Sequence, residues 1–275
     1  MPPISSTLPA ARAHWPYYLV EAGGAACFIM GSGLATLLAE HPASPVAGAL
    51  HEHAVARRAV VGVLVAAVLC AMAFSPWGKR SGAHFNPAVT LGFWQLGRIS
   101  GNDAVAYVLA QVVGAATGAT VLHATLSHWL AHPAIKNLLT QPKPIPGGTA
   151  VAWVAEFLIA GGLMAVLLSA LHSQAWHKAA GAFAAALLAF YIIVETPYSG
   201  MSLNPARSLG TALAAGEFRG LWVYWTAPPL AAWLAAVVWK WRHGHILARA
   251  AQPGPGPLRR CHTVPPHYPN STSND

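Results

Sequence analysis

Six stretches of this chain are each long and apolar enough to cross a bilayer as a helix: Tyr17–Ala39, Arg58–Phe74, Ala104–Ser127, Thr149–Leu171, Lys178–Val194 and Leu221–Trp241. A hydrocarbon core of about 30 Å takes about 20 apolar residues at the helical rise. Lipid offers no partner for an unpaired backbone N–H or C=O, so a helix, which pairs its own, is the form in which such stretches cross. Composition agrees: 55% of the residues are hydrophobic and only 9% charged, against about a quarter charged in soluble domains. The first stretch outlasts a signal-peptide core and contains Glu21, so it reads as a retained span.

Two further apolar pieces, Asn86–Leu96 and Asn204–Ala214, are too short to cross, and each opens with Asn-Pro-Ala. Proline suits the first helical turn, where its missing N–H costs nothing, and asparagine is a favoured N-cap. Each piece therefore predicts a half-helix beginning at its own asparagine. The order span, span, half-helix, span occurs twice, and residues answer one another: Asn86-Pro87-Ala88 and Asn204-Pro205-Ala206, Glu21 and Glu156, Tyr107 and Tyr224. Three spans per half is an odd number, so the halves face opposite ways. The expected fold class is an all-α membrane protein of six transmembrane helices plus two re-entrant half-helices in an inverted repeat. The segments are 1–16 at the N-terminus, a first repeat 17–127, a connecting loop 128–148, a second repeat 149–243 and a disordered tail 244–275. Inverted repeats with broken helices place a site near the midplane.

The net charge of +8 prompts a check for a nucleic-acid partner, which the apolar runs exclude. Lysine and arginine set the orientation instead. With the N-terminus inside, ten of them, including Lys79, Arg80 and Lys178, fall on the cytoplasmic side and five, including Arg57, Arg58 and Lys143, on the outer side. Both termini are then cytoplasmic, in a multi-pass protein of the cell membrane. Three cysteines in unrelated settings predict neither a disulfide framework nor a zinc site. His51-Glu52-His53 sits in a charged loop and reads as solvated. No metal and no cofactor is expected. The chain shows no phosphate-cradling loop, no nucleophile beside a base and no paired carboxylates, which argues against an enzyme.

Half-helices entering from opposite sides meet N-terminus to N-terminus, and each presents about half a positive charge there. Their N–H groups and the Asn86 and Asn204 amides can donate to a water oxygen while the field repels a cation. The preceding loops, Gly82-Ala83-His84 and Ser199-Gly200, are irregular backbone at membrane depth, tolerated only inside protein or along a wet cavity. Their carbonyls are expected to line the passage. Arg207 is a lone cation in an apolar helix, an expensive feature that is usually functional.

Ser81-Gly82-Ala83-His84-Phe85-Asn86-Pro87-Ala88-Val89-Thr90 and Ser202-Leu203-Asn204-Pro205-Ala206-Arg207-Ser208 resemble the two signatures of the aquaporin family, the major intrinsic proteins. The resemblance covers about residues 15–242. It implies a pore whose half-helix ends exclude cations and protons, a property known of aquaporin-type pores. It also implies that Glu21 and Glu156 brace the pore-lining loops, and that the chain assembles as a homotetramer in the lipid bilayer. A narrow filter falls on Arg207, Met201, Ile192 and, from the second span, either Val65 or Ala66. Water-selective members usually carry an aromatic and a histidine in this set, which is absent here. Against that, Ser208, Ala212, Tyr224 and Trp225 resemble the water-channel pattern rather than that of glycerol channels. The expected function is a passive channel for water and other small neutral solutes. The alternative is a channel mainly for glycerol, hydrogen peroxide or a similar solute. A coupled secondary transporter is disfavoured, because the half-helix starts carry only amides.

Overall fold

The computed structural model describes residues 7–250, with side chains from 14 to 243. Of the expected terminal segments, residues 1–6 and 251–275 lie outside the described residues. The described residues are helical, with no strand. In order they form α1 (Thr7–Glu40), α2 (Pro45–Ala49), α3 (Ala54–Phe74), α4 (Pro76–Ser81), α5 (Pro87–Gln95), α6 (Gly101–Leu130), α7 (Gly148–His172), α8 (Ala180–Ser199), α9 (Pro205–Ala215) and α10 (Leu221–Ala250). Six are long and apolar enough to cross a membrane: α1, α3, α6, α7, α8 and α10. Helix α10 continues to Ala250, into the stretch expected to be disordered.

Local chemistry sets the boundaries. Ser75 precedes Pro76, which disfavours the α conformation and stops α3. The Ser75 side chain then accepts the Gly78 N–H and starts α4. Ser100 caps α6 through the Asp103 N–H, with Asp103 in the first turn where the helix dipole favours it. Helix α8 runs past Val194 to Ser199 despite Pro197 in its last turn. The Glu195 carboxylate accepts the Ser199 N–H at 3.1 Å, which supports that end.

The packing carries the two-fold relation of the sequence. Helix α1 lies against α6 as α7 lies against α10, α1 against α3 as α7 against α8, and α9 against α6 as α5 against α10. Helices α3 and α8 pack on each other, and α5 meets α9. The outward faces are apolar, with Leu19, Val63, Leu109, Val113, Leu158 and Trp241 all exposed, as lipid contact requires. Because α1 starts and α10 ends on the same side, that side is called terminal below.

Apolar attraction between helices is weak in lipid, so close packing must hold them together. Gly114 of α6 sits so near α1 that a Cβ there would lie 1.9 Å from the Ala22 carbonyl oxygen, whereas a Cβ on Gly23 would meet nothing within 4 Å. Gly114→Val is therefore expected to force α1 and α6 apart and cost about 3 kcal/mol or more. Gly23→Ala should be neutral. Size-exclusion profiles and melting of the two purified variants in detergent provide the check.

Candidate functional site

Asn86 and Asn204 meet at the centre of the bundle. Each is the N-cap of its half-helix: Asn86 Oδ1 accepts the Ala88 N–H at 2.8 Å, and Asn204 Oδ1 accepts those of Ala206 and Arg207 at 3.1 and 3.3 Å. Each amide nitrogen then crosses to the other half. Asn86 Nδ2 donates to the Leu203 carbonyl at 2.9 Å, and Asn204 Nδ2 donates to the Phe85 carbonyl at 2.8 Å. This reciprocal pair binds the two half-helix starts together. Pro87, Ala88, Pro205 and Ala206 are buried beside it.

The loops leading to the asparagines share one strained backbone. Gly82, Ala83 and Phe85 have φ of 87°, 52° and 48°, and Gly200, Met201 and Leu203 have 82°, 51° and 59°. Left-handed φ is uncommon for non-glycine residues and persists only where surroundings enforce it. Two buried glutamates do so. Glu21 accepts the His84 N–H at 3.0 Å, the Phe85 N–H at 2.6 Å, Ser81 Oγ at 2.7 Å and Gln111 Nε2 at 2.7 Å. Glu156 accepts the Ser202 N–H at 2.7 Å, the Leu203 N–H at 2.8 Å and Ser199 Oγ at 2.6 Å. In a trans peptide the C=O points opposite its N–H. Fixing these amides on the glutamates therefore turns the carbonyls of Ala83, His84, Met201 and Ser202 the other way.

Ser199, at the start of the second loop, is fully buried. Its Oγ serves Glu156 and its carbonyl accepts from Tyr224. Ser81 is used the same way in the first half, its carbonyl accepting from Tyr107 at 2.9 Å. In both halves the helix end thus satisfies one of its last carbonyls internally before the chain turns into the loop.

A cavity of about 480 Å³ opens from the terminal side and ends at the asparagine pair. Gly82, Ala83 and His84 line it, together with Phe28, Phe93, Leu163, Leu167 and Leu188. His84 stacks on Phe93 with ring centroids 4.8 Å apart. Its Nδ1 lies 3.1 Å from Thr90 Oγ1, whose own hydrogen goes to the Asn86 carbonyl.

Beyond the asparagines, Val65, Ile192 and Met201 are buried in one apolar cluster. Ala66 is half-buried and lies outside it. Arg207, three residues into the same region, has a buried Nη1 with no hydrogen-bond partner among the described residues. Gly200 packs against the backbone of Thr140 and Gln141 in the connecting loop. Thr140 Oγ1 lies 2.6 Å from Ser208 Oγ, which ties that loop to α9.

Further residues support the two loops. Ser81 and Ser199 stand five residues before each asparagine, a repeat match that marks their shared hydrogen bonds to Glu21 and Glu156. Gln111 and Thr90 share a hydrogen bond of 3.0 Å beside Glu21; Ser208 stands where Thr90 does in the second half, whereas Pro228 replaces Gln111. Glu195 is buried just past the last predicted apolar residue, with Oε2 unpartnered. No group of three histidine, cysteine, aspartate or glutamate side chains among the described residues is placed to hold a metal ion.

The geometry agrees with sequence and structural comparisons. The family profile described as "Major intrinsic protein" matches residues 14–239. The chain is 39% identical over 171 residues to aquaporin NIP1-4 of Oryza sativa subsp. japonica, covering 61% of this chain and 59% of the relative. It is 34% identical over 166 residues to aquaporin NIP1-1 of Arabidopsis thaliana, covering 59% and 55%. The chain thus spans about half the length of the curated relatives it matches. Its fold superposes on the aquaglyceroporin of Plasmodium falciparum with a TM-score of 0.68 and 19% identity, covering 86% of this chain and all of that one. On the extent of the profile match and the six-helix architecture with its paired half-helices, the chain belongs to the major intrinsic protein family.

Proposed function

We propose that this chain is a passive channel of the cell membrane, not an enzyme, that passes water and other small neutral solutes while excluding ions and protons. The observation carrying the reading is the reciprocal Asn86–Leu203 and Asn204–Phe85 bonding, which brings two electropositive half-helix starts to one point. There a neutral oxygen finds donors, whereas a cation meets a repulsive field and no replacement for its hydration shell. The charge distribution supports a cytoplasmic terminal side. The repeats 17–127 and 149–243 are the two halves of one pore, and the exposed apolar flanks suit a homotetramer with one pore per subunit.

The solute path runs from the cavity past Gly82, Ala83 and His84, between the asparagines, and on through Val65, Ile192, Met201 and Arg207. Val65 rather than Ala66 is assigned to the filter, because it is buried in the apolar cluster that also holds Ile192 and Met201, whereas Ala66 lies outside that cluster. Three apolar side chains beside a single arginine suit a solute with an apolar carbon edge and hydroxyls that can accept from the guanidinium. Glycerol and hydrogen peroxide are therefore proposed as additional solutes. Stopped-flow light scattering on reconstituted vesicles tests the reading. Water flux is expected to show a much lower activation energy than bare lipid, and glycerol a rate above it. An activation energy equal to that of protein-free vesicles would sink the channel; fast water with lipid-like glycerol would restrict it to water.

A further inference from the structure

The cavity on the terminal side is larger than single-file passage requires. Its 480 Å³ is more than ten times the roughly 30 Å³ that one water occupies in the liquid. It also falls in the size range of small-molecule sites, about 300–1,000 Å³, which are mostly apolar with a few placed polar groups. Leu163, Leu167 and Leu188 supply apolar wall, and Phe28 and Phe93 aromatic wall. Lys79 and Lys178 line it as well, both exposed, with His177 beside Lys178. Among the described residues, no aspartate or glutamate lines it. At the inner end the two half-helix starts add further positive potential.

An apolar chamber with cationic groups and no anionic one complements an amphiphilic anion. We infer that the chamber binds small carboxylates with a short apolar tail, and that such a ligand plugs the pore from the terminal side. The inference rests on the proposed solute path through this chamber. The tail lies against Leu163, Leu167 and Leu188. The carboxylate stays with Lys79 and Lys178, because those side chains are exposed and leave it hydrated, whereas burial beside the asparagines would strip its water at a cost of several kcal/mol. The anion therefore binds without passing.

The probe is 3-phenylpropionate at pH 7.4, where a carboxylate of pKa near 4 is ionised. In reconstituted vesicles it is expected to slow the protein-dependent water flux, while 3-phenylpropylamine, a cation of the same shape, does not. In Lys79→Gln/Lys178→Gln the half-blocking concentration should rise by roughly two- to thirty-fold, the range two exposed ion pairs supply. Each variant is compared with its own flux without ligand. Saturation-transfer NMR on the protein in lipid nanodiscs reads binding without flux, and transfer to the phenyl ring should weaken in the double variant. Absence of transfer, equal effects of anion and cation, or an unchanged half-blocking concentration overturns the proposal. If transfer behaves as expected but no water flux exists in any sample, the binding site stands and the channel reading falls.

Discussion

Replacing Glu156 by leucine is expected to leave no stably folded protein. Its carboxylate accepts the Ser202 and Leu203 N–H groups and Ser199 Oγ, and all four residues are buried. Leucine has a similar size but no acceptor. Each orphaned buried donor costs about 1–3 kcal/mol, so three together approach the total stability of a domain, about 5–15 kcal/mol. The left-handed residues Met201 and Leu203 would also lose what holds them there. Glu156→Gln keeps one acceptor oxygen but aims an amide at donors, and should fall between the two. Thermal melting with size-exclusion in detergent checks the order. A leucine variant that melts within a few degrees of the parent would show that the loop holds itself.

Aspartate in place of Asn204 is expected to open the channel to protons. The substitution removes the Nδ2 donor that reaches the Phe85 carbonyl and places a carboxylate oxygen against that carbonyl instead. It also sets a negative charge where the starts of α5 and α9 converge, cancelling the field proposed to repel cations. A charge at a helix end is worth about 0.3–2 kcal/mol per helix, and each 1.4 kcal/mol is about tenfold in rate. Two converging helices therefore predict a proton leak faster by roughly one to two orders of magnitude. Collapse of an imposed pH gradient in vesicles, followed by an internal dye, provides the reading. Asn204→Ala breaks the same hydrogen bond without adding charge and isolates the electrostatic part. If the aspartate variant leaks no faster than the alanine variant, the half-helix field is not the barrier.

Much of the architecture was legible because its signals are local. Span length is counted along the chain, and the starts of α5 and α9 are written as an asparagine cap followed by proline. The inverted repeat needed only those motifs and the glutamates that answer each other. The boundaries of α1, α8 and α10 were less legible. Polar or proline-containing turns end an apolar count before they end a helix, as Glu195 and Pro197 do in α8.

The amino-acid order by itself determined six crossings, two half-helices and their opposition, because hydrophobic length, capping and an odd number of spans per half act within the chain. Only the tertiary structure decided which of Val65 and Ala66 joins Ile192 and Met201, since adjacent helical residues point about 100° apart and the neighbouring helix selects between them. It alone decided that Glu21 and Glu156 each gather donors from segments distant in the chain, and that Ser199 turns toward Glu156. A buried carboxylate must find donors wherever the fold brings them, and linear spacing carries no record of that encounter.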